Sequence, residues 1–135
     1  MRKIVLASHG MLAAGMKNSL EMIAGAQPQV DVLCAYTDEV PDLRMALKAI
    51  IEGLGPEDEL VLVTDVLGGS VNTEVSQLRD LPRVYVMTGM NLGLVLSLAL
   101  ADGDDTEAVI DECLENARAQ MVRIEPDEDE EDEDF

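Results

Sequence analysis

The sequence has few residues that can carry covalent chemistry, and its single histidine, His9, is the first of them. His9 follows the short apolar run Ile4–Ala7 and precedes Gly10, so a strand ending here would leave the imidazole exposed in a turn. A neutral imidazole that is protonated on one nitrogen keeps the lone pair of the other free as a nucleophile. The alternative is a turn histidine with no chemical role.

Asp65 stands in an equivalent place, just after the apolar run Leu60–Val63 and Thr64. Its carboxylate could accept a hydrogen bond from one ring nitrogen of His9, which would fix the tautomer and leave the other nitrogen as the nucleophile. The alternative is an aspartate that only stabilises a turn or caps a helix. Contact between the two side chains requires a fold that brings these strand ends together.

Gly68, Gly69 and Ser70 follow Asp65 and indicate a phosphate-binding turn. Glycines let the backbone approach an oxyanion closely, and the N–H groups at a helix start can hold it together with the Ser70 hydroxyl. The alternative is that the glycines only form a flexible turn and bind nothing. The sequence contains neither a GxxxxGK[ST] loop nor a GxGxxG turn after the first strand, so we predict no nucleotide cofactor. With one histidine and no paired cysteines, we also predict no metal site.

Short apolar runs alternate with amphipathic segments, a pattern that predicts βαβαβαβα. The fold class is therefore α/β: a doubly wound, mostly parallel four-stranded sheet with helices on both faces and a short fifth edge strand at Val122–Ile124. This strand could pair within its own subunit or with a partner subunit. In such sheets, ligands bind at the carboxyl ends of the strands. The predicted strands are Ile4–Ala7, Val30–Tyr36, Leu60–Val63 and Val84–Met87, and Pro41 and the caps Ser70, Asn91 and Thr106 mark helix starts.

The charge of the chain excludes some function classes and divides the sequence. The 28 acidic and nine basic residues give a net charge of −19, which argues against nucleic acid and anionic membrane surfaces as partners. Nine of the ten residues from Glu125 to Asp134 are acidic, and without them the balance is −10. We therefore predict a domain over residues 1–124 and a disordered acidic tail over 125–135.

Two further features concern the environment of the protein. Cys34 and Cys113 lie in no metal-binding or CxxC spacing, which is typical of buried thiols in a reducing cytoplasm. The helix predicted over residues 92–101 has almost no polar face, which favours its burial against a second copy of the chain.

Taken in order along the chain, these motifs resemble the enzyme IIA domain of the mannose-class (mannose/fructose/sorbose) bacterial phosphotransferase system. The resemblance covers residues 1–124. It rests on Ala7-Ser8-His9-Gly10, on the segment from Val63 to Ser70 with Asn72 beyond it, and on Thr88-Gly89-Met90-Asn91-Leu92. The family usually has a proline after the serine of its Gly-Gly-Ser turn, where this chain has Val71.

The resemblance implies a homodimeric histidine phosphocarrier in the cytoplasm. His9 would accept a phosphoryl group from the phosphocarrier protein HPr and pass it to an enzyme IIB, with Asp65 orienting the ring. The relay would serve sugar uptake through a membrane permease. Two alternatives stay open: the phosphotransfer subunit of dihydroxyacetone kinase, and a regulatory α/β module that transfers no phosphate.

Overall fold

The computed structural model describes residues 1–127, which form four strands and five helices in strict alternation apart from the last helix. The strands are β1 (Arg2–His9), β2 (Val30–Ala35), β3 (Glu59–Thr64) and β4 (Val84–Met87). The helices are α1 (Leu12–Ala24), α2 (Leu43–Glu52), α3 (Ser70–Ser76), α4 (Leu92–Leu100) and α5 (Thr106–Ala119).

The four strands form one parallel sheet in the order β2-β1-β3-β4, which confirms the predicted doubly wound class. The chain adds β2 on one side of β1 and then crosses to add β3 on the other side. The switch point therefore lies between the carboxyl ends of β1 and β3, where open α/β sheets bind their ligands. Ala7 pairs with Thr64 in this register, so the residues that follow leave the sheet side by side.

Both faces of the sheet are buried, which is why the strands are apolar at consecutive positions. Ile4 and Leu6 of β1 point into one layer, and Val5 and Ala7 point into the other. The first layer contains α1, α4 and α5, and the second contains α2 and α3. Burial on both faces holds the central strands rigidly, and these strands end at the candidate site.

Helix α4 is buried by its own subunit at only three of its nine positions, so its burial against a second copy stays a prediction. It lies in a layer with α1 and α5, and Leu94, Val95 and Leu98 are almost completely buried. Leu100, at its end, is exposed. Leu92, Leu96 and Ala99 are half-buried, so part of the apolar surface of α4 is uncovered in the single chain.

The remaining differences from the sequence prediction lie at element ends. Asn91 caps α4 as predicted, but the caps of α3 and α5 are Gly69 and Asp105, each one residue before the predicted Ser70 and Thr106. The fifth strand at Val122–Ile124 is not formed: this segment has no regular structure and is exposed, because no strand edge pairs with it within residues 1–127. Most of the predicted acidic tail, residues 128–135, lies outside the described residues.

Candidate active site

The side chains of His9 and Asp65 meet at the switch point of the sheet. His9 is the last residue of β1, and Asp65 follows the last residue of β3. The Nδ1 atom of His9 lies 2.8 Å from Oδ2 of Asp65, and the same oxygen accepts the backbone N–H of His9 at 2.8 Å. The structure therefore brings together the two residues that the sequence predicts as a pair.

The two members of this pair differ in exposure in a way that suits nucleophilic chemistry. The His9 side chain is 44% exposed and the Asp65 side chain is 8% exposed. The ring can thus meet a reactant while the carboxylate that orients it stays shielded from water. A hydrogen bond from Nδ1–H to a carboxylate selects the tautomer whose lone pair is on Nε2.

The Asp65 carboxylate is stabilised as an anion. Burial opposes its ionisation, but the backbone N–H of His9, the His9 ring and the N–H of Val66 all stabilise the charged form, and together they lower the pKa of Asp65 below its ordinary value. The Val66 N–H donates to Oδ1 at 2.9 Å, so both oxygens have donors. Asp65 is therefore a fixed negative charge beside the ring.

Ser70 lies on the opposite side of the imidazole from Asp65. Its Oγ atom is 3.0 Å from Nε2 of His9, so its side chain faces the ring and does not cap α3. A Cβ at Gly69 would make a tight contact of 3.0 Å with Cγ2 of Val66 and an ordinary one of 3.5 Å with Cε1 of His9. The hydroxyl of Ser70 thus marks the place that a group bound to Nε2 would occupy.

The two glycines have different partners from those that a phosphate-binding turn suggests. The Gly68 N–H donates to Oδ1 of Asn72 at 3.0 Å, and the Gly69 N–H donates to the carbonyl of Val66 at 3.2 Å. Within residues 1–127, the N–H of Ser70 has no such acceptor. The Ser70 N–H is consequently the donor of this turn that can meet an anion without rearrangement, and the Ser70 hydroxyl can do so once it turns from Nε2 of His9.

Asn72 fixes the turn to the sheet, a role that sequence reasoning did not find. It is buried, and besides accepting the Gly68 N–H it donates from Nδ2 to Oγ1 of Thr64 at 3.0 Å. Thr64 in turn contacts Oγ1 of Thr88 at 2.9 Å. The network joins β3, the start of α3 and the segment after β4, so the turn beside His9 is rigid.

Tyr36 is the other functional candidate that sequence reasoning missed. It lies directly after β2, with its ring centroid 5.4 Å from that of His9 and its hydroxyl 2.7 Å from Oγ of Ser70. The sequence prediction ran the second strand through Tyr36, whereas the strand ends at Ala35. The sequence signal that could have identified Tyr36 is its position at the carboxyl end of a strand, which the fold places beside β1.

Two further observations concern metal binding and the membrane. Within the described part of the chain, no group of three or more His, Cys, Asp or Glu side chains is arranged to hold a metal ion. No helix in residues 1–127 is long and apolar enough to span a bilayer.

Solved structures of other proteins share this fold. A Klebsiella pneumoniae subsp. pneumoniae protein assigned as a phosphoenolpyruvate-dependent sugar phosphotransferase system (PTS) permease is 38% identical, with a TM-score of 0.84 over 90% of each chain. The phosphotransferase system component EIIA from Streptococcus agalactiae is 26% identical, with a TM-score of 0.79 over 91% of this chain and 97% of that one. The mannose/sorbose-specific IIA subunit from Enterococcus faecalis is 20% identical, with a TM-score of 0.82 over 93% and 96%, and shows the fold alone.

Sequence comparisons give one partial match and one family. The pachytene checkpoint protein 2 homolog of Oryza sativa subsp. indica is 29% identical over 97 residues, and the match spans only 20% of that protein. The family model of the PTS system fructose IIA component matches residues 3–118. The chain therefore belongs to the PTS system fructose IIA component family, in agreement with its likeness to the Klebsiella pneumoniae and Streptococcus agalactiae proteins.

Proposed function

We propose that this protein is a cytoplasmic histidine phosphocarrier that accepts a phosphoryl group from phospho-HPr on Nε2 of His9 and passes it to an enzyme IIB. The observation that carries the proposal is the His9–Asp65 pair at the exposed switch point of the sheet, with Nδ1 held at 2.8 Å and Nε2 open toward Ser70. The relay serves sugar uptake through a membrane permease. Family membership supports a phosphotransfer role of this kind.

The transfer step follows from the tautomer that Asp65 selects. The Nε2 lone pair attacks the phosphorus of the donor's phosphohistidine, a new P–N bond forms, and the donor's P–N bond breaks with its electron pair returning to the donor nitrogen. The Nδ1 proton stays in its hydrogen bond to Asp65, whose negative charge offsets the positive charge of the phosphorylated ring. The second step repeats this displacement with a nucleophile of enzyme IIB.

Gly68, Gly69 and Ser70 form the proposed phosphate-binding turn. The Ser70 hydroxyl, now on Nε2, turns to a phosphoryl oxygen once Nε2 is bonded to phosphorus, and the Ser70 N–H is a second donor. Gly68 has a positive φ of 80°, which a residue with a side chain rarely adopts, and Gly69 leaves room beside the ring. Phosphoryl transfer needs positioning and charge stabilisation more than covalent machinery, and this turn supplies donors.

An exposed apolar rim around His9 supports protein partners. Met11 and Leu12 follow β1, and Val66 and Leu67 follow Asp65, and all four side chains are exposed. Exposed apolar patches beside a site mark interaction surfaces in many proteins. The carrier that docks here would present apolar groups surrounded by basic or neutral residues, because the chain carries a net charge of −19. The same charge disfavours nucleic acid as a partner.

We also propose that the protein is a homodimer. Met121, Val122 and Ile124 are exposed after α5, and β4 is an edge strand of the sheet. A second subunit would cover both of these surfaces.

The test of the function is phosphorylation of the purified protein with phosphoenolpyruvate, enzyme I and HPr. Acid-labile label is expected on the wild type and none on His9→Ala, since His9 is the only histidine. The label should then discharge onto an enzyme IIB. A wild type that takes no label would favour a regulatory module, and discharge only onto a dihydroxyacetone kinase would favour that branch instead.

A further inference from the structure

Tyr36 adopts a backbone conformation that its residue type disfavours. Its φ is 65°, in the left-handed region, where a bulky side chain is strained. The side chain is 60% exposed, so burial in the core does not compensate for the strain. Strained residues of this kind cluster at functional sites, where the surrounding structure holds them in place.

The turn after β2 holds Tyr36 in this conformation. The hydroxyl of Thr37 donates to the carbonyl of Cys34 at 2.6 Å, and the N–H of Val40 donates to the carbonyl of Thr37 at 3.2 Å. The first bond spans Tyr36 and the second closes the turn that follows it, and the Tyr36 side chain reaches the site across the end of β1. The Tyr36 hydroxyl lies 2.7 Å from Oγ of Ser70, and its ring is tilted by 53° to the His9 ring.

The directions of the hydrogen bonds follow from counting protons. Asp65 can only accept, so Nδ1 of the neutral His9 ring is the donor and Nε2 is an acceptor. Ser70 has one hydroxyl proton and must donate it to Nε2 at 3.0 Å. Tyr36 must then donate its own proton to Ser70. The chain of donors runs from Tyr36 through Ser70 to Nε2.

We propose that Tyr36 is a positioning residue for phosphoryl transfer, acting through Ser70. This inference rests on the proposed function of His9. When Nε2 bonds to phosphorus it can no longer accept, and the Ser70 hydroxyl, keeping its proton, donates its hydrogen bond to a phosphoryl oxygen instead. The Tyr36 hydroxyl donates a hydrogen bond to Oγ of Ser70 throughout. The Ser70 proton therefore stays directed at the reacting group and does not rotate away from it.

The first test uses phosphoramidate, a small phosphoryl donor, so that no partner protein is needed. Its P–N bond breaks, ammonia leaves and a bond from phosphorus to Nε2 forms. Tyr36→Phe should lower the maximal phosphorylation rate about threefold to tenfold, the effect of one hydrogen bond, and leave the half-saturating phosphoramidate concentration unchanged. Tyr85→Phe is the matched control, because Tyr85 lies on β4 and its hydroxyl contacts Glu59.

Two comparisons separate action through Ser70 from other effects. Ser70→Ala should lower the rate of phosphorylation by phosphoramidate. Adding Tyr36→Phe to Ser70→Ala should lower this rate no further. In ¹⁵N spectra of the His9 ring, Tyr36→Phe should move the Nε2 resonance toward its position in Ser70→Ala and leave Nδ1 in place. An unchanged rate and Nε2 resonance in Tyr36→Phe, or additive losses in the double variant, would overturn the inference.

The outcomes also distinguish this inference from the proposed function. A wild type that reacts with phosphoramidate but not with phospho-HPr would contradict the HPr relay, while a slowed Tyr36→Phe would still support the role of Tyr36. If the wild type takes label from phospho-HPr but Tyr36→Phe reacts with phosphoramidate at the wild-type rate, the HPr relay is supported and the role of Tyr36 is contradicted.

Discussion

At the scale of single residues, the candidate site consists of one histidine, the proposed nucleophile, with a hydrogen-bonding group on each side. Asp65 fixes Nδ1 of His9, and Ser70 marks the place of a group on Nε2. His9 and Asp65 could be predicted from the sequence because each follows an apolar strand that ends at the same sheet edge. Tyr36 could not, because its direction depends on a left-handed φ and on the bond from Thr37 to Cys34.

Replacing Asp65 by Asn tests the orientation of the ring. An Asn side chain can donate to Nδ1, which would favour the tautomer that carries its proton on Nε2 and has no free lone pair there. The equivalent change in serine proteases costs about 10⁴-fold in rate, so we expect phosphorylation by phospho-HPr to fall by about 10²- to 10⁴-fold. Radiolabel kinetics measure the rate, and ¹⁵N spectra of His9 identify the tautomer; wild-type kinetics would remove Asp65 from the mechanism.

The same substitution should change the pH dependence of stability. Because the folded-state pKa of Asp65 is lowered, its contribution is fully present above the ordinary value of 3.8 and is lost as the pH falls through the lower folded-state value. Urea unfolding of the wild type should therefore show a steeper loss of stability below that pH than Asp65→Asn. If the free energies of unfolding of the two proteins changed in parallel with pH, the stabilisation of the ionised Asp65 carboxylate in the folded state would be contradicted.

At the scale of elements, the start of α3 is the part of the site that most depends on tertiary contacts. Helix α3 spans only Ser70–Ser76, and its cap, Gly69, supplies no side chain. Asn72 compensates by joining the Gly68 N–H to the hydroxyl of Thr64. The sequence indicated a turn and a helix start here, but a buried asparagine looks the same in sequence as an exposed one, so the network could not be foreseen.

Asn72→Ala should therefore weaken both the fold and the site. Removing the side chain takes a donor from the buried hydroxyl of Thr64 and the acceptor from the Gly68 N–H, which should lower the free energy of unfolding by about 1–3 kcal/mol. Phosphorylation should also slow, because Ser70 lies on the loosened turn. Urea denaturation measures the first effect, with Asn18→Ala on the exposed side of α1 as the control, expected within about 0.5 kcal/mol of wild type. Equal free energies of unfolding for the two variants would contradict the role of Asn72 in joining the turn to β3.

At the scale of the whole molecule, the order of apolar segments was enough to predict the parallel sheet covered on both faces. The order of segments was not enough where an element forms only against a partner strand. The alternation of Val122, Arg123 and Ile124 is typical of a strand, but a strand forms only against another edge, and none pairs with it within residues 1–127. Helix α4, in contrast, forms within the single chain, where α1 and α5 pack against it.

The proposed homodimer gives these exposed residues a partner, and it can be tested directly. Val122 and Ile124 are 66% and 85% exposed in the single chain, and burial of such side chains is worth about 1.5–3 kcal/mol each. Val122→Asp with Ile124→Asp should place charges in the interface and convert a dimer to a monomer in sedimentation-equilibrium measurements over a concentration series. Met22→Asp, at an equally exposed position on α1, is the control and should stay dimeric. A monomeric wild type would refute the dimer, and a double variant that remains dimeric would place the interface on another surface.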